Sequence, residues 1–294
     1  MERYVKIRRV LVIILALNWG VALAKIFYGI ITKSSSIMAD GFHSLSDGAS
    51  NIIGLIGINI AAQPRDADHP YGHKKYETLF SLLIGALLFF LSFSLIREAV
   101  GRFFNPVIPH IDILSFIVML TTLLVNIIVM NYEYKKGKKL KSDILVSDSM
   151  HTRADIFVTA SVIATLVVIK MGYPILDPIV TIMIALFIAH SGFEIVRESS
   201  RILCDTAVIA NVEEIEKIVL KVKGVNACHK IRTRGRCDDI NIDLHVQVNP
   251  DMHMDSAHKI SYEIEEALKK GIQGVTDVIV HMEPKEKSSS GPAR

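Results

Sequence analysis

The chain has 294 residues, half of them hydrophobic and 21% charged, with a formal net charge of +3. A mean hydropathy of +0.38 is too apolar for an ordinary soluble domain, yet the charged fifth requires that part of the chain stand in water. So small a net charge gives no support for nucleic-acid binding, and the length allows two domains.

Arg3, Lys6, Arg8 and Arg9 precede an apolar run ending in Val21-Ala22-Leu23-Ala24, which imitates a signal peptide and its cleavage site. The run continues past Lys25 through Ile26, Phe27, Tyr28, Ile30 and Ile31. About 20 apolar residues span a bilayer, so the stretch is expected to be an uncleaved first membrane helix. Six such stretches follow one another, from Val10 to Ile31, Ile37 to Ala62, Leu79 to Phe103, Ile111 to Tyr132, Leu145 to Ile169 and Ile175 to Val196. Asp177-Pro178 reads as an N-cap and first-turn proline opening the last of them. The basic N-terminus, Lys74 and Lys75, the lysines from 135 to 141, and Arg197 and Arg201 all fall on one side of the bundle. Positive charge stays inside, so both termini are expected in the cytoplasm, in a multi-pass membrane protein.

After Arg201 the pattern changes. Asn211-Val212-Glu213-Glu214 resembles a capped helix start before Ile215, Ile218 and Val219. Val225 to Arg234 has strand character, and Ile240, Ile242, Leu244, Val246 and Val248 alternate with polar residues as in a half-buried strand. A helix from about Ser256 to Lys270 and a strand from Val275 to Met282 complete an α-β-β-α-β order, expected to form an open-faced sandwich with its helices on one side. The expected domains are thus a six-helix transmembrane bundle over 1–205 and a C-terminal cytoplasmic α+β, ferredoxin-like (αββαβ) domain over 206–284. The lysine- and serine-rich tail over 285–294 is expected to be disordered, and part of it to be an appended sequence. Cys204, Cys228 and Cys237 are odd in number and form no C-x-x-C pair, as suits reduced cytosolic thiols and not a disulfide framework or thiolate zinc site.

One pattern occurs twice. The second span contains Asp40-Gly-Phe-His43-Ser-Leu-Ser-Asp47 and the fifth Asp148-Ser-Met-His151-Thr-Arg-Ala-Asp155, each reading D-x-x-H-x-x-x-D. Positions i, i+3 and i+7 share a helix face. A carboxylate at mid-bilayer costs roughly 2.5 to 3.5 kcal/mol, so two such stripes demand a partner or a function. His43, Asp47, His151 and Asp155 can supply four nitrogen and oxygen ligands to a tetrahedral divalent ion, a donor set that suits Zn2+. Asp40 and Asp148 are open to three roles: guiding ions or protons, hydrogen-bonding the histidines, or capping a helix. Asn51, one turn beyond Asp47, is open to simple packing.

These paired H-x-x-x-D motifs, the six-span layout and the αββαβ domain resemble the cation diffusion facilitators, from about Val10 to Glu283. The resemblance implies a Zn2+/H+ antiporter working by alternating access as a homodimer, with His43, Asp47, His151 and Asp155 as the transport site. It favours zinc through His43; Fe2+, Cd2+ or Mn2+ export by the same machinery is the alternative. It also matches the second-to-third-span loop, where Asp66, His69 and His73 would ligate zinc, and it pairs Lys75 with Asp205 as a dimer interlock. In the cytoplasmic domain His229, His245, His258, His281 and Glu283 would form a regulatory metal site, although Glu283 stands where the family usually has aspartate. Protons are the expected counter-ion, because ligating histidine must be neutral; His43 and His151 would carry the coupling. A membrane hydrolase is disfavoured by the absence of H-E-x-x-H and of an open coordination position. A metal sensor without transport lacks an output domain.

Overall fold

Apolar runs between charged loops fold as helices. In the computed structural model they are α1 (Glu2–Thr32), α2 (Ala49–Ala61), α3 (Lys75–Phe104), α4 (Ile113–Leu140), α5 (Asp143–Lys170) and α6 (Leu176–Leu203). The structure describes residues 2–32, 45, 48–104, 113–170, 176–209 and 211–285. It divides into two units, 1–200 and 201–294. Helix α1 runs unbroken through Val21–Ala24, so the signal-like small residues lie inside a long helix. Three stretches among the described residues are long and apolar enough to cross a membrane: Glu2–Ala24, Lys75–Gly101 and Pro178–Leu203. Helix α6 is described from Leu176, so Asp177 sits within its first turn and not at its N-cap.

Several helices outrun the apolar spans. Helix α4 continues eight residues past Tyr132 because Glu133 to Leu140 holds four lysines, a glutamate and a leucine, all good helix formers, and no proline. Hydropathy locates where the chain becomes polar; helix propensity decides where it stops being helical. The turn after α4 is tight. Ser142 N–H donates to the Gly137 carbonyl at 2.9 Å, and Lys141 takes a positive φ of 50°.

Two apolar clusters hold the first unit together. Ile7, Leu11 and Ile14 of α1 pack with Ile58 of α2, Val129 of α4 and Ile144 of α5; Leu88 of α3, Ala154 of α5 and Ile188 of α6 form the second. Small residues permit close approach, as expected where lipid supplies no hydrophobic drive between helices. A Cβ on Gly57 would lie 2.5 Å from that of Phe80, and one on Gly192 would lie 3.2 Å from the Gly85 carbonyl.

The second unit contains α7 (Val212–Val219), β1 (Ala227–Arg236), β2 (Asp239–Val248), α8 (Met254–Gly271) and β3 (Val275–Pro284). Asn211 caps α7 by accepting from Glu213 N–H at 3.1 Å. The sheet order is β1-β2-β3, with β1 antiparallel and β3 parallel to β2, the latter joined through α8. The even-numbered residues of β2 from Ile240 to Val248 are buried with Ile215 and Val219 of α7 and Ile260, Ile264 and Leu268 of α8. Both helices therefore cover one sheet face, and the odd-numbered residues of β2 face the other way. This is the α-β-β-α-β sandwich that the alternation predicts.

Candidate functional site

His151 and Asp155 stand one turn apart on α5. They share a cavity with Asn18 of α1, Ser50 of α2, and Thr122 and Asn126 of α4. Three neighbouring helices thus turn oxygen-bearing side chains toward the imidazole and the carboxylate. Their expected partners His43 and Asp47, and Asp40 with them, lie outside the described residues. Asn51, fully buried, accepts from Asn18 Nδ2 at 3.2 Å and donates through its own amide nitrogen to Asp148 Oδ2. It thereby links α1 to α5 across α2, which is more than packing.

A residue absent from the sequence reading joins this network. Glu133 on α4 has no exposed surface, and Thr152 Oγ1 donates to its Oε2 at 3.1 Å. Its position beside a lysine run and past the expected end of the fourth span reads as solvated loop. The signal available in sequence was its place on a continuing helix.

The loop before α3 gathers Asp66, His69 and His73 so that one donor atom from each lies within 4.8 Å of the others. His69 N–H and Nδ1 lie 2.6 and 3.1 Å from Asp66 Oδ1, a short turn that folds carboxylate onto ring. His73 is 3% exposed, and its Nδ1 lies 3.0 Å from the Pro64 carbonyl. That carbonyl can only accept, so in the neutral ring Nδ1 carries the proton and Nε2 presents its lone pair. Nε2 in turn lies 3.3 Å from Asp66 Oδ2. Zinc bonds of ~2.0 Å set tetrahedral ligand atoms about 3.3 Å apart, which the His73–Asp66 pair matches and the whole set approaches.

On the open face of the second unit's sheet, His245 stands opposite His229 on one side and His281 on the other. A bulge between His229 and Arg232, with Lys230 at a φ of 50°, resets the side-chain alternation of β1 beyond His229. Glu283, two residues beyond His281, reaches back: its Oε2 is 3.0 Å from His229 Nε2 and its Oε1 2.6 Å from His245 Nδ1. One donor atom from each of His229, His245 and Glu283 likewise lies within 4.8 Å of the others, while His281 Nε2 lies 3.8 Å from Glu283 Oε1, outside that set. The longer arm of glutamate spans the gap between the two imidazoles. His258 is not brought into this set within one chain. It lies on α8, in the layer covering the opposite sheet face, with its ring against Tyr262.

Lys75 is the first residue of α3, in the first unit, and Asp205 follows α6 in the second. Asp205 has a φ of 55°, and Thr206 N–H closes the helix onto the Arg201 carbonyl at 2.9 Å. Glycine usually takes this left-handed position, and aspartate is among the few other residues that tolerate it.

The electrostatics of the two clusters give a pH expectation. The His69 backbone N–H, reinforced by its ring and by His73, holds the Asp66 carboxyl below its usual range. The His245 hydrogen bond, with His229 nearby, does the same for Glu283. A depressed carboxyl keeps its charge on acidification and loses it only as pH falls through the lowered value. An imidazole must be neutral to ligate, so metal binding at either cluster competes with protons. Metal held there is therefore expected to dissociate on acidification while the two depressed carboxylates still keep their charge. Equilibrium dialysis against zinc at stepped pH checks this; undiminished retention down to about pH 4 would contradict it.

Comparison with known proteins gives a consistent picture. Residues 11–204 match the family described as cation efflux transmembrane domain, and residues 210–285 the cation efflux protein cytoplasmic domain. An uncharacterized transporter of Methanocaldococcus jannaschii is 32% identical over 279 residues, covering 95% of this chain and 98% of that protein. The manganese efflux system protein MneS of Bacillus subtilis is 27% identical over 89% of this chain and 90% of its own length. The cation-efflux pump FieF of Citrobacter koseri is 26% identical, over 89% of this chain and 87% of that pump.

Proposed function

The chain belongs to the cation diffusion facilitator family of membrane transporters, and from that premise we propose that it exports zinc from the cytoplasm in exchange for protons. The observation that carries the reading is the α5 face, where His151 and Asp155 share a cavity with oxygen donors from α1, α2 and α4. An imidazole and a carboxylate one turn apart supply half of a tetrahedral set, and His43 and Asp47 of the matching motif supply the rest. The ion is the cargo, bound by deprotonated ligands and released when they regain protons. Six helices cross an inner membrane with both termini in the cytoplasm, as the distribution of lysine and arginine requires.

Two copies of the chain form the working unit, with Lys75 and Asp205 interlocking near the membrane surface. Their pairing adds little energy if exposed, so its role is positional. Asp66, His69 and His73 in the loop, and His229, His245, His281 and Glu283 on the sheet, hold regulatory metal, with His258 as an outlying contributor. Metal binding on the sheet reports cytosolic zinc to the transport domain.

Manganese export is the second reading. The cavity offers amide and hydroxyl oxygens beside a single described imidazole, and oxygen donors suit a harder ion. The name of the Bacillus relative points the same way. Reconstituted vesicles offered Zn2+, Mn2+, Fe2+ and Cd2+ separately distinguish the two: zinc is expected to move fastest, and manganese moving while zinc only blocks would replace the first reading by the second.

A further inference from the structure

Asp148, one turn before His151 on α5, and Glu133 on α4 are both fully buried. Their carboxyl groups lie within hydrogen-bonding reach of each other. Neutral donors serve part of the pair: Asn51 and Ser50 donate to Asp148, and Thr152 to Glu133 Oε2. Two oxygens remain. Glu133 Oε1 and Asp148 Oδ1 are shielded from solvent and receive no donor among the described residues. A buried polar atom without a partner is costly, and two facing carboxylates without a cation are costlier still. A single proton between them removes the repulsion and satisfies an orphaned oxygen in one step.

We propose that Glu133 and Asp148 share one proton and form a proton-binding site beside the metal site, delivering a counter-ion of the exchange. The proposal rests on the proton-exchange reading above and deepens it. Among the described residues, the charged or titratable groups acting on the pair are His151 and Asp155, both on α5, while α1 and α2 meet the network with neutral Asn18, Ser50 and Asn51. A divalent ion arriving at His151 and Asp155 places two positive charges about one helical turn away. That charge stabilises both carboxylates, the shared O–H bond breaks, and the proton passes to water. When the metal leaves, the pair takes a proton back. Carriage is thus divided between the imidazoles and an acid pair that does not ligate.

Infrared difference spectra of the purified full-length protein test this directly. Metal-free protein near neutral pH should show the C=O stretch of a protonated carboxyl, and saturating zinc should remove it. Glu133→Gln and Asp148→Asn should lack the band. Glu133→Asp, which keeps the acid, should retain it and serves as a control on folding. Zinc titrations in two buffers of different ionisation enthalpy should count one proton fewer released per zinc in Glu133→Gln. A band that persists with zinc bound, or equal proton release in Glu133→Gln, overturns the proposal. So does the loss of one bound zinc, in place of one proton, in Glu133→Gln, because the pair would then be a metal site. If zinc removes the band but zinc flux ignores the proton gradient, the site stands and the exchange reading fails. A gradient-driven flux without the band defeats the site alone.

Discussion

Arg3→Ala is expected to destabilise the protein by about 3 kcal/mol, the low end of what breaking a buried ion pair costs, because Arg3 itself is 22% exposed. Its Nη2 lies 3.2 and 3.0 Å from the two Glu77 oxygens, and Glu77 has no exposed surface. The same side chain donates from Nε to the Leu140 carbonyl and from Nη2 to that of Lys141, each at 2.7 Å. One guanidinium thus joins α1 to the start of α3 and to the turn between α4 and α5. Removing it takes a charged partner from a buried carboxylate and a donor from two carbonyls at once. Arg3→Lys keeps the charge but not the planar fork, so it should recover only part of the loss. Glu77→Gln in the Arg3→Ala background should recover some of it by removing a buried charge that has lost its guanidinium. Unfolding midpoints in detergent measure all three; an Arg3→Ala midpoint equal to that of the intact chain would show that the pair contributes nothing.

Asp155→Ala is expected to abolish metal flux while leaving the fold intact. Asp155 supplies a carboxylate to the cavity, and losing it removes both a ligand and the charge that offsets a divalent cation. The side chain is only half-buried and belongs to neither apolar cluster, so little stability is at stake. His151→Ala should have a similar effect on flux. Asp155→Glu keeps the charge but displaces it, and should retain weak transport. Initial rates of zinc entry into vesicles, with metal content of the purified variants as the binding readout, check the expectation. Near-normal flux in Asp155→Ala would remove α5 from the transport site.

Much of this was legible before any coordinates. The alternation in β2 named the buried face of the sheet, and the spacing in α5 put His151 and Asp155 on one stripe. Both signals arise because a regular backbone converts sequence period into side-chain direction. The clustering of Asp66, His69 and His73 was legible as composition but not as geometry. It depends on a turn and on a backbone carbonyl from Pro64 that fixes the ring, neither of which has a sequence period. The reset in β1 after His229 is hidden for the same reason, since a bulge breaks the period on which strand reading depends. Glu133 was missed because hydropathy ended the span one residue early, whereas α4 carries on and buries that carboxylate against α5. His258 was grouped with the sheet histidines by the family resemblance, but the helix layer places it on the other side of the sheet within one chain.

Zinc uptake by the intact protein in proteoliposomes, with an acidic interior and then with no pH difference, tests the central claim most directly. The account predicts uptake that the acidic interior accelerates, accompanied by proton efflux in fixed proportion. Zinc entry that is indifferent to the gradient would contradict proton exchange, and an intact protein that moves no divalent metal under either condition would contradict export itself.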